Sequence, residues 1–558
     1  VVLWALVPAT VAGFGGLFLA ASSEARLLAA RERLLAGRPG EAALALRSVR
    51  WPPVAPRARA AGALVSALAG PGGTVRGGGS PPLADLRAFE PEGVLVGALA
   101  RGDVSGAARV ATLLRGSGEP LGLLYAAALA FDRGAEDEAR RDLRAAQTPL
   151  ASRGPGQRLA AALDARARGA RTLLWDRGGR LVATIDEDGT PRLAAEGAGL
   201  LDEPLARLAD GADTLPREAA SVRLTLDADL SRAAREALGP RRGSIVLLDF
   251  RDGALLAAVT DAATAIAEPA AAFTERREPA SIAKLITTAA AYRAGRDADA
   301  EIRRMTCRGV ERYDGRPLWC AWPAGPLEGG LDEALAVSCN IAFANLGVSL
   351  GRERLLDEYR RWGFDDGPRA LLGSAGHVRG TLRDARDLAD LAIGLEQADV
   401  TPLHAAALAA VVGDGGRLAP PHLVAGATSR LALRDAPRTF SPPREVIPAA
   451  VAGRLREAMV AVALRGTGAG LAPGGFPVAM KTGTGATAGL GYHVNYVGVG
   501  PLPAPTVAFA VRVTGGRTSP AVTEAAREVT RRLLEALAAR APLLAADPRR
   551  PGDPVSSR

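Results

Sequence analysis

The chain has 558 residues, of which 48% are hydrophobic and 23% charged, and its formal net charge is +9. That length and hydrophobic content exclude a disordered chain and allow more than one buried core. The positive balance suits an anionic polymer or a membrane surface, but the basic residues are dispersed among acids without a Lys/Arg block, so nothing supports nucleic-acid binding.

Residues 1–21, VVLWALVPATVAGFGGLFLAA, carry no charge and match the roughly 20 apolar residues that cross a bilayer. They predict a transmembrane anchor over 1–22, with the rest of the chain outside the cytoplasm; a cleaved leader ending near FLAASSEA is the rival reading. From 23 to 170, Ala, Leu and Arg recur at helical spacing. Gly37, Gly70, Gly102, Gly134 and Gly169 interrupt that pattern at intervals of 33, 32, 32 and 35 residues. This resembles tetratricopeptide-like helical hairpins, although an irregular helical array accounts for the same residues. In either form the region reads as a stacking or docking surface and carries no catalytic constellation. Residues 171–220 alternate short apolar runs with glycine turns and read as a small β linker. From 221 to 545 strands and helices interleave, beginning with a strand at SVRLTL, a helix opening near Asp227 and two strands around the turn FRDGA. Residues 546–558 read as a disordered tail.

The chain has only two lysines, Lys284 in PASIAKLITTA and Lys481 in VAMKTGTG; arginine holds every other Lys/Arg position. The two cations differ in that a buried ammonium sheds its proton whereas a guanidinium keeps it. Pro279 suits a helix entry, which predicts Ser281 and Lys284 in the first turn, three apart and on one face. A lysine brought toward neutrality by burial and by the positive end of the helix can take a proton from that serine. Lys481 opens KTGTG after the apolar FPVAM and before YHVNYVGVG, a pattern that predicts a strand edge beside another strand. Between the two lysines, AVSCNIAF places Ser338 and Asn340 two residues apart.

S-x-x-K, S-x-N and K-T-G in that order resemble the penicillin-recognising serine enzymes, most closely the transpeptidase domain of monofunctional (class B) penicillin-binding proteins. TLDADLSRAAREAL, GSIVLLDFRDGALLAAVT and IGLEQADVTPLHAAALAAVVGDGGRLAPPHLV extend the likeness over about 221–545. The resemblance implies an α/β (α+β) fold with a five-stranded antiparallel sheet flanked by helices, here preceded by the helical repeat domain and the anchor. It implies Ser281 as acylated nucleophile, Lys284 as general base, Ser338 as proton relay and Asn340 as partner of Lys284 and of the substrate amide. Lys481 would set the electrostatics, and Thr482, Gly483 and Thr484 would line the substrate cleft, with the Ser281 and Thr484 N–H groups as oxyanion hole. The implied activity is a membrane-anchored D,D-transpeptidase of the bacterial cytoplasmic membrane that cross-links peptidoglycan stem peptides and is inhibited by β-lactams. Cell-wall assembly proteins are the expected partners of the helical region. A D,D-carboxypeptidase or β-lactamase on the same fold, and a non-catalytic β-lactam sensor, are the alternatives.

Met480 stands where the family usually has glycine, so packing beneath that strand should differ. Cys307 and Cys320 can close a loop worth at most about 3 kcal/mol or remain two unrelated thiols, and Cys339 is expected to be a small buried residue. His377, His404, His422 and His493 show no metal-ligand spacing and read as structural. No cofactor and no metal is expected.

Overall fold

The structure is a computed structural model that describes residues 23–544 apart from short stretches, the longest being 70–84 and 147–154. The expected anchor over 1–22 and tail over 546–558 lie outside the described residues. Among the described residues no helix is long and apolar enough to cross a membrane. The chain divides into two compact units, residues 1–173 with 428–436 and 548–558, and residues 174–427 with 437–547.

The first unit is helical. Helices α1 (23–35), α2 (Pro39–Leu46), α3 (Ala55–Ala69), α4 (Val104–Gly116), α5 (Pro120–Asp132), α6 (Glu136–Ala146) and α7 (Pro155–Ala167) follow one another. Leu27, Leu34, Leu64, Val110 and Leu114 meet in one apolar core. Of the periodic glycines, Gly134 and Gly169 are described, and both follow a helix with positive φ, 88° and 90°. The left-handed backbone that ends α5 and α7 is one glycine adopts without the Cβ penalty.

The second unit begins inside strand β1 (Ala170–Trp175), followed by β2 (Leu181–Asp186), β3 (Pro191–Leu193) and β4 (Ser221–Leu224). Asp227 caps α8 (Ala228–Leu238) by accepting from the N–H groups of Asp229 and Leu230, as an N-cap aspartate does. Strands β5 (Gly243–Asp249) and β6 (Ala254–Thr260) come next, then α9 (Lys284–Arg293), the hairpin β7 (Val310–Tyr313) and β8 (Arg316–Trp319), and α10 (Asn340–Leu350). Further along come α11 (Pro402–Gly413), β9 (Val424–Thr428), α12 (Ala449–Arg465), β10 (Ala479–Thr487), β11 (Gly491–Gly500), β12 (Val507–Gly516) and α13 (Ser519–Ala538), with shorter elements between.

The main sheet has five strands in the order β10-β11-β12-β5-β6, every pair antiparallel. It agrees with the five-stranded sheet that the resemblance implies. Strands β5 and β6 are buried at every residue, because both faces of the sheet are covered. Val246, Leu248, Ala508 and Ala510 face one core, and Ile245, Leu247, Phe509 and Val511 face the other. On the first face the small alanines of β12 admit α11, whose residues Pro402–Val412 are all buried. Such an all-round apolar helix belongs in the middle of a fold rather than on its surface. Helices α8 and α13 cover the opposite face.

Strands β1, β2 and β3 lie in one sheet with β4 and β9. Leu174, Val182, Leu201, Leu205 and Leu208 belong to the same core as Val246, Ile286 and Leu408.

Candidate active site

Ser281 does not sit in an α-helical turn. Residues Ala280–Ala283 form a 3-10 turn, and α9 starts at Lys284 itself. The cause is the backbone at Ala280, whose φ is +50° and whose N–H is held by the Gly394 carbonyl at 2.8 Å. A non-glycine residue in that region is strained, and such strain persists only where the surroundings over-determine it. Ser338 is a second case, with φ +59° at the turn before α10.

These two turns and the edge strand β10 converge. Lys284 Nζ donates to the Ser338 carbonyl (2.7 Å), to Asn340 Oδ1 (2.7 Å) and to Ser338 Oγ (3.3 Å). Lys481 Nζ donates to Ser338 Oγ (2.9 Å) and to the Thr482 carbonyl (2.9 Å). One hydroxyl thus lies between the chain's only two lysine amines, and both lysines are fully buried. Burial lowers Lys284 to about 7, against the opposing pull of the Cys339 and Cys320 sulfurs. Burial, then the charge of Lys284, puts Lys481 well below its ordinary value. Among the described residues, the hydrogen bonds of Lys284 Nζ go to the S-x-N residues and none to Ser281, its neighbour one turn back.

Gly483 brings β10 against the Ser281 turn. A Cβ placed there would lie 2.9 Å from the Pro279 carbonyl, 3.0 Å from the Ser281 nitrogen and 3.1 Å from the Ile282 nitrogen. Gly483→Ala is therefore expected to push the Ser281 turn away and slow penicillin acylation by about 100-fold. Its melting temperature should fall by a few degrees while the chain still folds; stopped-flow acylation and a thermal melt check this.

Thr482 and Thr484 differ. Thr482 is buried and its Oγ1 lies 2.6 Å from Thr467 Oγ1, whereas Thr484 is exposed. Thr467 carries no signal in the sequence. The departure at Met480 has its counterpart in Gly468, where a Cβ would sit 2.5 Å from the Met480 sulfur. The missing side chain on one segment makes room for the long one on the other.

Sequence reasoning also missed what holds the Ser281 turn from behind. Arg512, on β12 and fully buried, donates to Asn495 Oδ1 (2.9 Å) and to the carbonyls of Glu275 (2.7 Å) and Val400 (2.8 Å). Asn495 Nδ2 donates in turn to the Glu278 and Pro279 carbonyls, both at 3.4 Å, and His493 Nε2 lies 2.9 Å from the Glu278 carbonyl. Burial holds His493 down at about 3, so it is neutral and donates from Nε2. One charged residue inside the apolar run TVAFAVRVTG was the available signal, since charges are almost never buried without partners. Arg512→Met is expected to lower unfolding free energy by about 3 kcal/mol or more, because three acceptors lose their donor. Urea unfolding measures it.

Of the other histidines, His404 is buried with Nδ1 accepting from the Gly376 N–H at 2.7 Å and Nε2 2.9 Å from the Trp362 carbonyl. His422 stacks on Phe440, and His377 is paired with Asp365. The three cysteines, by contrast, come together beside Asn340, whose N–H donates to Cys320 Sγ at 3.3 Å and whose Nδ2 donates to the Trp319 carbonyl at 3.1 Å.

Comparison with known proteins agrees with this geometry. Residues 243–535 match the family described as penicillin binding protein transpeptidase domain. The chain is 30% identical over 352 residues to a peptidoglycan D,D-transpeptidase PbpA of Mycolicibacterium smegmatis, covering 56% of this chain and 70% of that one. It is 28% identical over 256 residues to stage V sporulation protein D of Bacillus subtilis, covering 42% and 38%. Among solved structures, penicillin-binding protein A of M. tuberculosis as its ceftriaxone acyl-enzyme complex superposes with TM-score 0.55 at 25% identity, covering 66% of this chain and 98% of that one. With a matched domain spanning more than half its length, and the three motifs assembled around one hydroxyl, the chain belongs to the penicillin-binding protein transpeptidase family.

Proposed function

We propose that this serine D,D-transpeptidase works through Ser281, with Lys284 as the base that frees its hydroxyl. Ser281 Oγ attacks the carbonyl of a peptidoglycan stem peptide, its proton passes to neutral Lys284, and an ester to the enzyme forms as the leaving amine departs. Ser338 carries a proton to that amine, and Asn340 orients Lys284 and the substrate amide. Lys481, Thr482, Gly483 and Thr484 line the cleft for the substrate carboxylate, and the N–H groups of Ser281 and Thr484 receive the developing oxyanion. An acceptor amine then takes the acyl group and restores Ser281. The observation that carries this reading is Ser338 Oγ within hydrogen-bonding reach of both Lys481 and Lys284.

β-Lactams acylate the same serine, a reading supported by the ceftriaxone acyl-enzyme of the M. tuberculosis relative. We further propose attachment to the cytoplasmic membrane through residues 1–22, with the catalytic unit outside the cytoplasm and the helical region docking a cell-wall assembly protein. Peptide mass spectrometry after benzylpenicillin treatment is expected to find one adduct, on Ser281. An adduct elsewhere, or none, would overturn the assignment, and release of the product to water in place of an acceptor amine would make the enzyme a hydrolase.

A further inference from the structure

The chain has three cysteines, and they arrive from three separate segments. Cys307 lies on the short strand Thr306–Cys307, Cys320 directly follows β8, and Cys339 sits between Ser338 and Asn340 as the N-cap of α10. Their sulfurs all lie within 4.8 Å of one another, with Cys320 and Cys339 at 3.7 Å. Each sulfur accepts a backbone N–H: Gly309 to Cys307 at 3.4 Å, Asn340 to Cys320 at 3.3 Å, and Ala342 to Cys339 at 3.4 Å. Donors aimed at sulfur favour the thiolate, against the burial that raises Cys307 and the Cys320 sulfur and burial that raise Cys339. Cys307 and Cys339 are buried while Cys320 is half-buried, which leaves one side of the cluster accessible.

We propose that Cys307, Cys320 and Cys339 form a zinc site that ties the S-x-N turn to the end of strand β8. Zinc–sulfur bonds of about 2.3 Å in a tetrahedron set the sulfurs about 3.8 Å apart, which Cys320 and Cys339 already satisfy and Cys307 reaches with a shift of roughly an ångström. A disulfide requires the sulfurs to close to about 2.05 Å and joins two of them only, whereas the three sulfurs here surround a common point. Binding displaces three thiol protons into solvent as three zinc–sulfur bonds form, and a water or an external ligand completes the tetrahedron on the Cys320 side. Because Cys339 separates Ser338 from Asn340, the ion would fix the turn that positions both residues against the lysines.

The test uses the full chain, reduced without oxygen and freed of metal, with Zn2+ and Co2+ as probes. Expected are one zinc per chain by plasma mass spectrometry and a thiolate-to-cobalt charge-transfer band at one equivalent. Zinc should also slow alkylation of Cys320 and raise the melting temperature. Cys307→Ser should lose the band and the thermal shift while still taking up fluorescent penicillin. The proposal is overturned if the reduced parent binds no more zinc than Cys307→Ser, or if zinc leaves the alkylation rate of Cys320 unchanged. It is equally overturned if chain isolated without reductant carries a disulfide among the three and its reduced form takes no metal.

Discussion

Lys284→Arg is expected to abolish penicillin acylation, a fall of at least about 1,000-fold, while Lys481→Arg keeps a measurable fraction of the rate. Both side chains are fully buried and both reach Ser338, so position alone does not separate them. Their proposed roles do. A base at 284 has to be neutral before it can accept a proton, and a guanidinium does not deprotonate in a protein. At 481 the proposed requirement is positive charge once the substrate carboxylate arrives to offset the burial that lowers this lysine, and arginine retains that charge at the cost of a bulkier head group.

The same assignment sets the pH dependence. Burial lowers Lys284 to about 7, so its neutral form, the active one, is about a tenth of the total one unit below that value and dominates above it. Acylation by the parent chain should therefore rise through neutral pH and level off on the alkaline side. Stopped-flow acylation between pH 5.5 and about 9, with thermal melts to establish that both variants fold, decides the matter. An active Lys284→Arg, or a rate that falls as pH rises through 7, would remove Lys284 from the role of base.

The motif residues were legible because each motif is local: S-x-x-K, S-x-N and K-T-G carry their chemistry in three or four consecutive positions. So were the N-cap at Asp227 and the hairpin turn of FRDGA, whose Gly253 has φ +90° and no room for a Cβ beside the Pro420 carbonyl. What stayed hidden depends on partners far away in sequence. The expected α-helical turn at Ser281 is a 3-10 turn because the Gly394 carbonyl, more than a hundred residues on, fixes the N–H of Ala280. Thr467 meets Thr482 across the fold, and Arg512 reaches carbonyls at 275 and 400. Composition permitted a bridge between Cys307 and Cys320, but only the folded chain brings Cys339 to the same place. Burial and backbone strain select these contacts, and neither leaves a periodic trace.

A chain truncated to 221–545 is expected to be insoluble or unfolded, whereas one beginning at residue 170 should fold and acylate at a rate close to that of the full chain. Leu174, Val182, Leu201, Leu205 and Leu208 are at most 6% exposed and share one core with the sheet and helices around Lys284. Each such side chain contributes about 2 kcal/mol by burial, so the five together, about 10 kcal/mol, match the roughly 5–15 kcal/mol that typically separates folded from unfolded states. Truncation at 221 also strips β4 of its sheet with β1–β3, leaving β9 as its remaining partner there. The helical residues before 170 have an apolar core of their own, and the three motifs all lie in the second compact unit, so loss of those helices should spare acylation. Circular dichroism, urea unfolding and penicillin labelling of the two truncated chains separate the possibilities. Cooperative unfolding and full labelling of 221–545 would make 171–220 a dispensable linker, and failure of the chain beginning at 170 would make the helical region part of the catalytic unit.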